Sequence, residues 1–169
     1  MDDGLDLSSL PFAYARKILV VAPHPDDETL GCGGLISLLA QNGAAFYIVF
    51  VTDGSASHRN STAWPTARLA AQREQEARNA LVCLGIAHAP ALFLRLPDAN
   101  MPAPGAPAWE SAVSTMSDIS RRFEPFALAP RSTLRSPSLM AAVAACAAPS
   151  VRASRHAGIR NLAGRTWRR

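Results

Sequence analysis

The order of apolar segments is the feature that most constrains how this chain can fold. Residues 17–22 (Lys-Ile-Leu-Val-Val-Ala) form a continuous apolar run with β-branched side chains, which is typical of a strand buried on both faces. Similar runs at 45–51, 91–96 and 126–129 predict three further strands. The last of these is the shortest.

Segments with helical spacing separate the four runs. A helix is expected from about Glu28 to Gln41, and a second one, with Thr66 as its candidate cap, should stop at Gly85. A third helix follows a proline-rich loop at 97–107. The positions that mark the inner faces of the second and third helices are Leu69, Ala77, Leu81 and Leu84, and Val113, Met116, Ser120 and Phe123.

Strands that alternate with helices predict an open α/β fold with a mostly parallel sheet. Ligands bind beyond the carboxyl ends of the strands in such sheets. We therefore expect the chemistry of this chain in the loops after Ala22, Val51, Leu96 and Ala129.

Length and cysteine usage limit the class of protein. The 169 residues suit a single domain, and no apolar run approaches the roughly 18 residues that span a bilayer. The acidic segment 1–6 does not resemble a secretory signal. Cys32, Cys83 and Cys146 form neither a CxxC pair nor an even disulfide set. We expect a cytoplasmic protein without a membrane segment.

The net charge of +4 comes from one end of the chain. All 13 acidic residues lie between Asp2 and Glu124, whereas residues 125–169 contain arginine but no acid. The expected organisation is an N-terminal extension (1–15), an α/β domain (16–130) and a basic tail (131–169) rich in arginine, alanine and serine.

The segment 22–28, Ala-Pro-His-Pro-Asp-Asp-Glu, places four ionisable side chains directly after a buried strand. Such a cluster is costly unless something organises it, and a divalent cation would do so. His24 and Asp27 can supply one nitrogen and one oxygen to zinc, leaving Asp26 free as a base. Two alternatives are carboxylates that cap the following helix and a dinucleotide loop at 31–34. The spacing of the glycines in that loop does not match GxGxxG.

The segment 22–28 resembles the (A/S)-H-P-D-D-E signature of the LmbE/PIG-L family, with Pro23 inserted between alanine and histidine. Further agreements are Thr-Asp-Gly at 52–54, Leu-Pro-Asp at 96–98 and Arg-x-x-Glu at 73–76, which leads to Leu-Gly at 84–85. The resemblance covers about residues 16–130.

This resemblance implies a Rossmann-like fold with helices on both faces of the sheet, and hydrolysis of an N-acetyl group, commonly on a glucosamine unit. His24 and Asp27 would bind zinc, and Asp26 would act as general base on the water that zinc activates. Arg73 and Asp98 would contact the sugar or form structural ion pairs. The implied partner is a small N-acetylated sugar conjugate.

The third zinc ligand that the family takes from a histidine segment after strand four has no counterpart in residues 131–137. His58 is a candidate substitute ligand, although a solvated loop histidine is the simpler interpretation. His88 should lie at the opposite edge of the sheet, and His156 belongs to the tail. We therefore expect zinc to be weakly bound or absent, and activity to be low.

The composition of the tail suggests a reading-frame shift. Codons that encode 131–137 can, when shifted by one base, encode Asp-Pro-Pro-Ser-Asp-His, and 156–162 can likewise shift to an apolar run. The tail is then expected to be out of frame and disordered, and the domain to be C-terminally truncated. Two other functions stay open: a carbohydrate-binding relic without catalysis, and a basic-tailed nucleic-acid-binding protein. The second is disfavoured because the tail lacks interleaved aromatic residues.

Overall fold

The computed structural model describes residues 16–58 and 61–128. The expected N-terminal extension (1–15) and the basic tail (131–169) lie outside these residues, and so do the frame shift and the truncation inferred for the tail.

Four strands alternate with three α-helices in the described part of the chain. They are β1 (Lys17–Ala22), α1 (Asp27–Gln41), β2 (Ala45–Thr52), α2 (Thr66–Cys83), β3 (Ala91–Leu96), α3 (Pro107–Phe123) and β4 (Phe126–Leu128). A short 3-10 helix, Ser55–His58, lies between β2 and α2. In the parts that the structure describes, no helix is long and apolar enough to cross a membrane.

The four strands form one parallel sheet in the order β3-β2-β1-β4. In the centre, Ile18 of β1 is paired with Phe46 of β2 on one side and with Phe126 of β4 on the other. The predicted open α/β sheet is confirmed.

Alternate residues of β1 divide the core into two layers. Ile18 and Val20 face α1 and α2, whereas Leu19 and Val21 face α3. The chain adds β2 and β3 on one side of β1, and then returns through α3 to add β4 on the other side of β1. Because the direction reverses, a right-handed crossover places α3 on the face of the sheet opposite to α1 and α2. The reversal makes the crevice beyond the carboxyl ends of β1 and β4 the expected ligand site.

The helix ends agree with the sequence prediction better than the helix starts. Gly43 (φ 76°) and Gly85 (φ 81°) follow α1 and α2 in the left-handed conformation that favours glycine. The prediction that Thr66 caps α2 is wrong, because Pro65 holds that position and Thr66 is the first helical residue. Helix α3 starts at Pro107, inside the segment expected to be a loop. Proline is well tolerated in the first helical turn, since its missing N–H would have no partner there.

The outer strand β3 carries a bulge near its carboxyl end. Phe50 and Thr52 of β2 pair with Phe93 and Leu96, so β3 has one extra residue, and Arg95 adopts a φ of 53°. Its guanidinium bonds to both carboxylate oxygens of Glu74 in α2, at 3.0 and 3.1 Å. The bulge therefore connects the edge of the sheet to α2.

Candidate active site

The loop after β1 is fixed to the end of β2. The Pro23 carbonyl accepts hydrogen bonds from the backbone N–H and the hydroxyl of Thr52, both at 2.9 Å. Helix α1 then starts at Asp27, which like Glu28 is almost completely buried. Carboxylates are favoured in this first turn by the partial positive charge of the helix N-terminus.

His24 and Asp27 are in direct contact. Oδ2 of Asp27 accepts the backbone N–H of His24 at 2.9 Å and lies 3.1 Å from Nδ1 of the ring. Both residues line one cavity of about 280 Å³, together with Asp26, Arg73 and Asp98. His24 and Asp27, the two residues expected to supply ligands to zinc, therefore line the same cavity.

Asp26 has an unusual backbone conformation, with φ 139° and ψ −24°. Its N–H donates to Oε2 of Glu28 at 3.0 Å, while Oε1 of Glu28 accepts the hydroxyl of Thr29 at 2.8 Å. Non-glycine residues rarely hold such a φ unless the surroundings enforce it. The buried Glu28 carboxylate therefore helps to hold Asp26 at the cavity. Glu28 had no catalytic or metal-binding role among the sequence-based predictions, although its place in the motif 22–28 was the available signal.

The surroundings raise the pKa of two site residues. Burial raises the pKa of Asp26 above its ordinary value, and the charge of Asp27 adds to this, while Arg73 and His24 oppose it. The pKa of His24 is raised by the hydrogen bond to Asp27, which outweighs burial, and by the charges of Asp98, Asp27 and Asp26. A carboxylate with a raised pKa accepts protons more readily, as a general base requires.

A second carboxylate meets His24 from the loop after β3. Oδ1 of Asp98 lies 3.3 Å from Nε2 of His24, and Oδ2 accepts the N–H of Ala56 at 3.1 Å. Oδ1 of Asp53, at the end of β2, accepts the N–H groups of Ser55 (3.0 Å) and Asp98 (3.3 Å). These bonds join the loops after β2 and β3 around the histidine. Asp53 was missed as a site residue, although it stands at a carboxyl strand end before a glycine.

Arg73 reaches the same cavity from α2. Its Nη1 lies 3.3 Å from Oε2 of Glu76, and its aliphatic part packs close to Gly54. It therefore brings a positive charge towards Asp26, whose pKa it lowers.

The other two histidines among the described residues lie elsewhere. His58 is exposed, contacts Ser57 Oγ through Nδ1 at 3.2 Å, and lines a neighbouring cavity rather than the one that contains His24. His88 is exposed and precedes β3, at the other edge of the sheet. The structure thus does not bring His58 together with His24 and Asp27.

The donors present suit a divalent cation in part. An imidazole nitrogen and a carboxylate oxygen are ordinary zinc ligands, and those of His24 and Asp27 are directed at each other. Across residues 16–58 and 61–128, no group of three histidine, cysteine or acidic side chains could hold a metal ion. The position expected for a further ligand, just after β4, lies outside these residues.

The fold and the site together define an open-sheet α/β protein with a histidine–carboxylate centre at the end of its first strand. The sequence profile of the GlcNAc-PI de-N-acetylases (PIG-L) matches residues 19–134. This chain belongs to the PIG-L family.

Two curated relatives are deacetylases by name. The uncharacterized deacetylase YaiS of Escherichia coli K12 is 38% identical over 86 residues, which are 50% of this chain and 42% of that protein. The diacetylchitobiose deacetylase of Thermococcus kodakarensis is 42% identical over 45 residues, 27% of this chain and 17% of that protein.

The solved structure of a third deacetylase is similar to this chain. The N,N'-diacetylchitobiose deacetylase of Pyrococcus horikoshii, in complex with an inhibitor, superposes with a TM-score of 0.67 at 27% identity over 89% of this chain and 54% of its own. The chain thus spans about half the length of that protein, and less than half of each curated relative. The family and the fold predicted from the segment 22–28 are confirmed.

Proposed function

We propose that this protein hydrolyses the N-acetyl group of an N-acetylated amino sugar. The observation that supports this most directly is the cavity in which His24 and Asp27 touch while the separate carboxylate of Asp26 is held beside them. Family membership and the names of the relatives favour the same reaction.

His24 and Asp27 are proposed to hold a zinc ion. Bound zinc polarises a carbonyl oxygen and lowers the pKa of a water molecule to about 7. Because the described residues supply only these two protein ligands, we expect weak zinc binding and low activity. Any further protein ligand would have to come from outside residues 16–58 and 61–128.

Asp26 is proposed to be the general base. Its carboxylate would remove a proton from the attacking water and deliver that proton to the nitrogen of the leaving amine, so that acetate and a free amino sugar are formed. The raised pKa of Asp26 suits both steps, since the group must accept the proton and then give it up.

Arg73 and Asp98, the two residues expected to contact the sugar or form structural ion pairs, receive different support. Arg73 lines the cavity that contains His24. We therefore still propose that Arg73 donates a hydrogen bond to the sugar. Both oxygens of Asp98 already have partners, His24 and the N–H of Ala56. Asp98 is therefore better explained as a residue that positions His24.

The test is acetate release from N,N'-diacetylchitobiose by the purified chain, with and without added zinc. We expect slow, zinc-stimulated release that the variant Asp26→Asn abolishes. Release that persists in Asp26→Asn, or in the presence of a strong chelator, would refute the assigned roles.

A carbohydrate-binding relic is the second candidate, and it is favoured by the incomplete ligand set in the described residues. It predicts sugar binding in the presence of chelator with no acetate release under any condition.

A further inference from the structure

A second cavity of about 200 Å³ adjoins the proposed active site, and nothing above assigns it a role. Its lining residues are His58, Trp64, Leu69, Gln72, Arg73 and Glu76. Arg73 also lines the cavity that contains His24, so the two cavities meet at this side chain. A molecule bound at His24 that extends past Arg73 would enter the second cavity.

Trp64 forms one wall of this cavity and is 36% exposed. Its position is fixed by several contacts: the backbone N–H bonds to Ser61 Oγ at 3.2 Å, and the Arg68 guanidinium lies 4.3 Å from the ring centroid. Arg68 also donates to the Ala63 carbonyl at 3.1 Å. Arg68 does not line the cavity, whereas Trp64 does.

The opposite wall is one face of α2. Leu69, Gln72, Arg73 and Glu76 have the spacing that places side chains on the same side of a helix. The Glu76 carboxylate accepts from Gln72 Nε2 at 3.0 Å and from Arg73 Nη1 at 3.3 Å. This wall thus combines the apolar Leu69 with three polar side chains that are ordered by their own hydrogen bonds and are together close to neutral in charge.

We infer that this cavity binds a second sugar ring of the substrate, next to the residue whose N-acetyl group is removed. A pyranose presents apolar C–H groups on one face, which suit the indole of Trp64, and hydroxyl groups at its rim, which suit Gln72 and Glu76. The neutral wall disfavours an anionic group. The volume of this cavity is below the roughly 300 Å³ at which pockets for complete small-molecule ligands begin, so it suits one additional ring. The inference rests on the proposed function and narrows its substrate to a disaccharide or longer conjugate.

The test compares the binding of N,N'-diacetylchitobiose and N-acetylglucosamine by calorimetry, with the full chain carrying Asp26→Asn so that neither sugar is consumed. We expect the disaccharide to bind more tightly than the monosaccharide. Trp64→Ala should weaken disaccharide binding about tenfold and remove most of this preference, whereas Trp64→Phe should retain it.

Gln72 and Gln75 provide a matched pair on α2. Gln72 lines the second cavity, whereas Gln75 faces another cavity and bonds to Asn79. Gln72→Ala should weaken disaccharide binding about fivefold, the loss of one hydrogen bond, and Gln75→Ala should not change it.

Two other outcomes would separate the second-ring site from the proposed deacetylase function. Equal disaccharide affinity in the Trp64→Ala, Gln72→Ala and unsubstituted proteins would overturn the second-ring site, while the proposed deacetylase would stand. A chain that binds neither sugar would overturn the substrate class of the proposed function, and the second-ring site with it.

Discussion

Nε2 of His24 lies 3.3 Å from Oδ1 of Asp98, while Nδ1 of the same ring contacts Asp27. The imidazole is therefore held between two carboxylates, one from α1 and one from the loop after β3. When the second nitrogen of a histidine bonds to a carboxylate, the ring orientation is fixed and the metal-binding nitrogen becomes a better donor.

This contact predicts that Asp98→Ala weakens zinc binding by about 10- to 100-fold. Asp98→Asn should have a smaller effect, since its amide oxygen can still accept from Nε2. Competition with a chromophoric chelator measures both affinities, and Asp118→Ala, on the exposed part of α3, serves as control. A normal zinc affinity with a raised KM would instead identify Asp98 as the sugar contact that the family resemblance implied.

The Asp26→Asn variant should lose about 10²- to 10⁴-fold in kcat, the usual contribution of a general base, while zinc affinity changes little. The rate of the unsubstituted protein should fall as the pH decreases through the pKa of Asp26, because the base must be ionised. A pH profile of kcat/KM checks it, and a profile that is the same in Asp26→Asn would contradict the assignment.

Gly54→Ala should destabilise the protein by about 1–2 kcal/mol. Gly54 has a φ of 64°, and an added Cβ would lie 3.1 Å from Cδ of Pro25, in the loop that carries His24. Gly34→Ala is the matched control, because nothing lies within 4 Å of its added Cβ on α1. It should stabilise by up to about 1 kcal/mol through helix propensity. Urea unfolding measures both variants, and equal effects would contradict the strain argument.

Glu74→Gln should destabilise the protein by about 1 kcal/mol near neutral pH. Burial raises the pKa of Glu74, but the hydrogen bonds and charges of Arg95 and Arg78 outweigh it and lower the pKa overall. The ionised group therefore adds stability above its unfolded-state pKa, and this is lost as the pH falls through the lowered folded-state pKa. Unfolding across this pH range should show the two proteins converging in acid. A difference that is constant with pH would exclude the charge as its cause.

Strands and helix ends were predictable because they follow from local rules. The run 17–22 is apolar on both faces, and Gly43 and Gly85 supply the left-handed conformations that end α1 and α2. The start of α3 was not predictable by the same rules, since prolines between 97 and 107 indicate a loop. Trp109 and Ala112 are buried in the first turns of α3, so packing on the sheet adds to the tolerance for proline at the start of a helix.

The site was predictable only where one segment carries it. His24, Asp26 and Asp27 are neighbours in sequence, so the motif alone brings them together. The contacts of Asp53 with Asp98, and of Asp98 with His24, join separate loops. They depend on how the parallel strands align, which the sequence pattern does not specify.

The backbone of Asp26 means that selection for stability and selection for activity act on this position in opposite directions. Its φ of 139° is one that glycine adopts freely, and its side chain makes no capping hydrogen bond to α1 that glycine would lose. Asp26→Gly should therefore keep or raise the melting temperature while it removes the base. If selection for catalysis were removed, related sequences would then accumulate glycine at position 26 and still keep the fold.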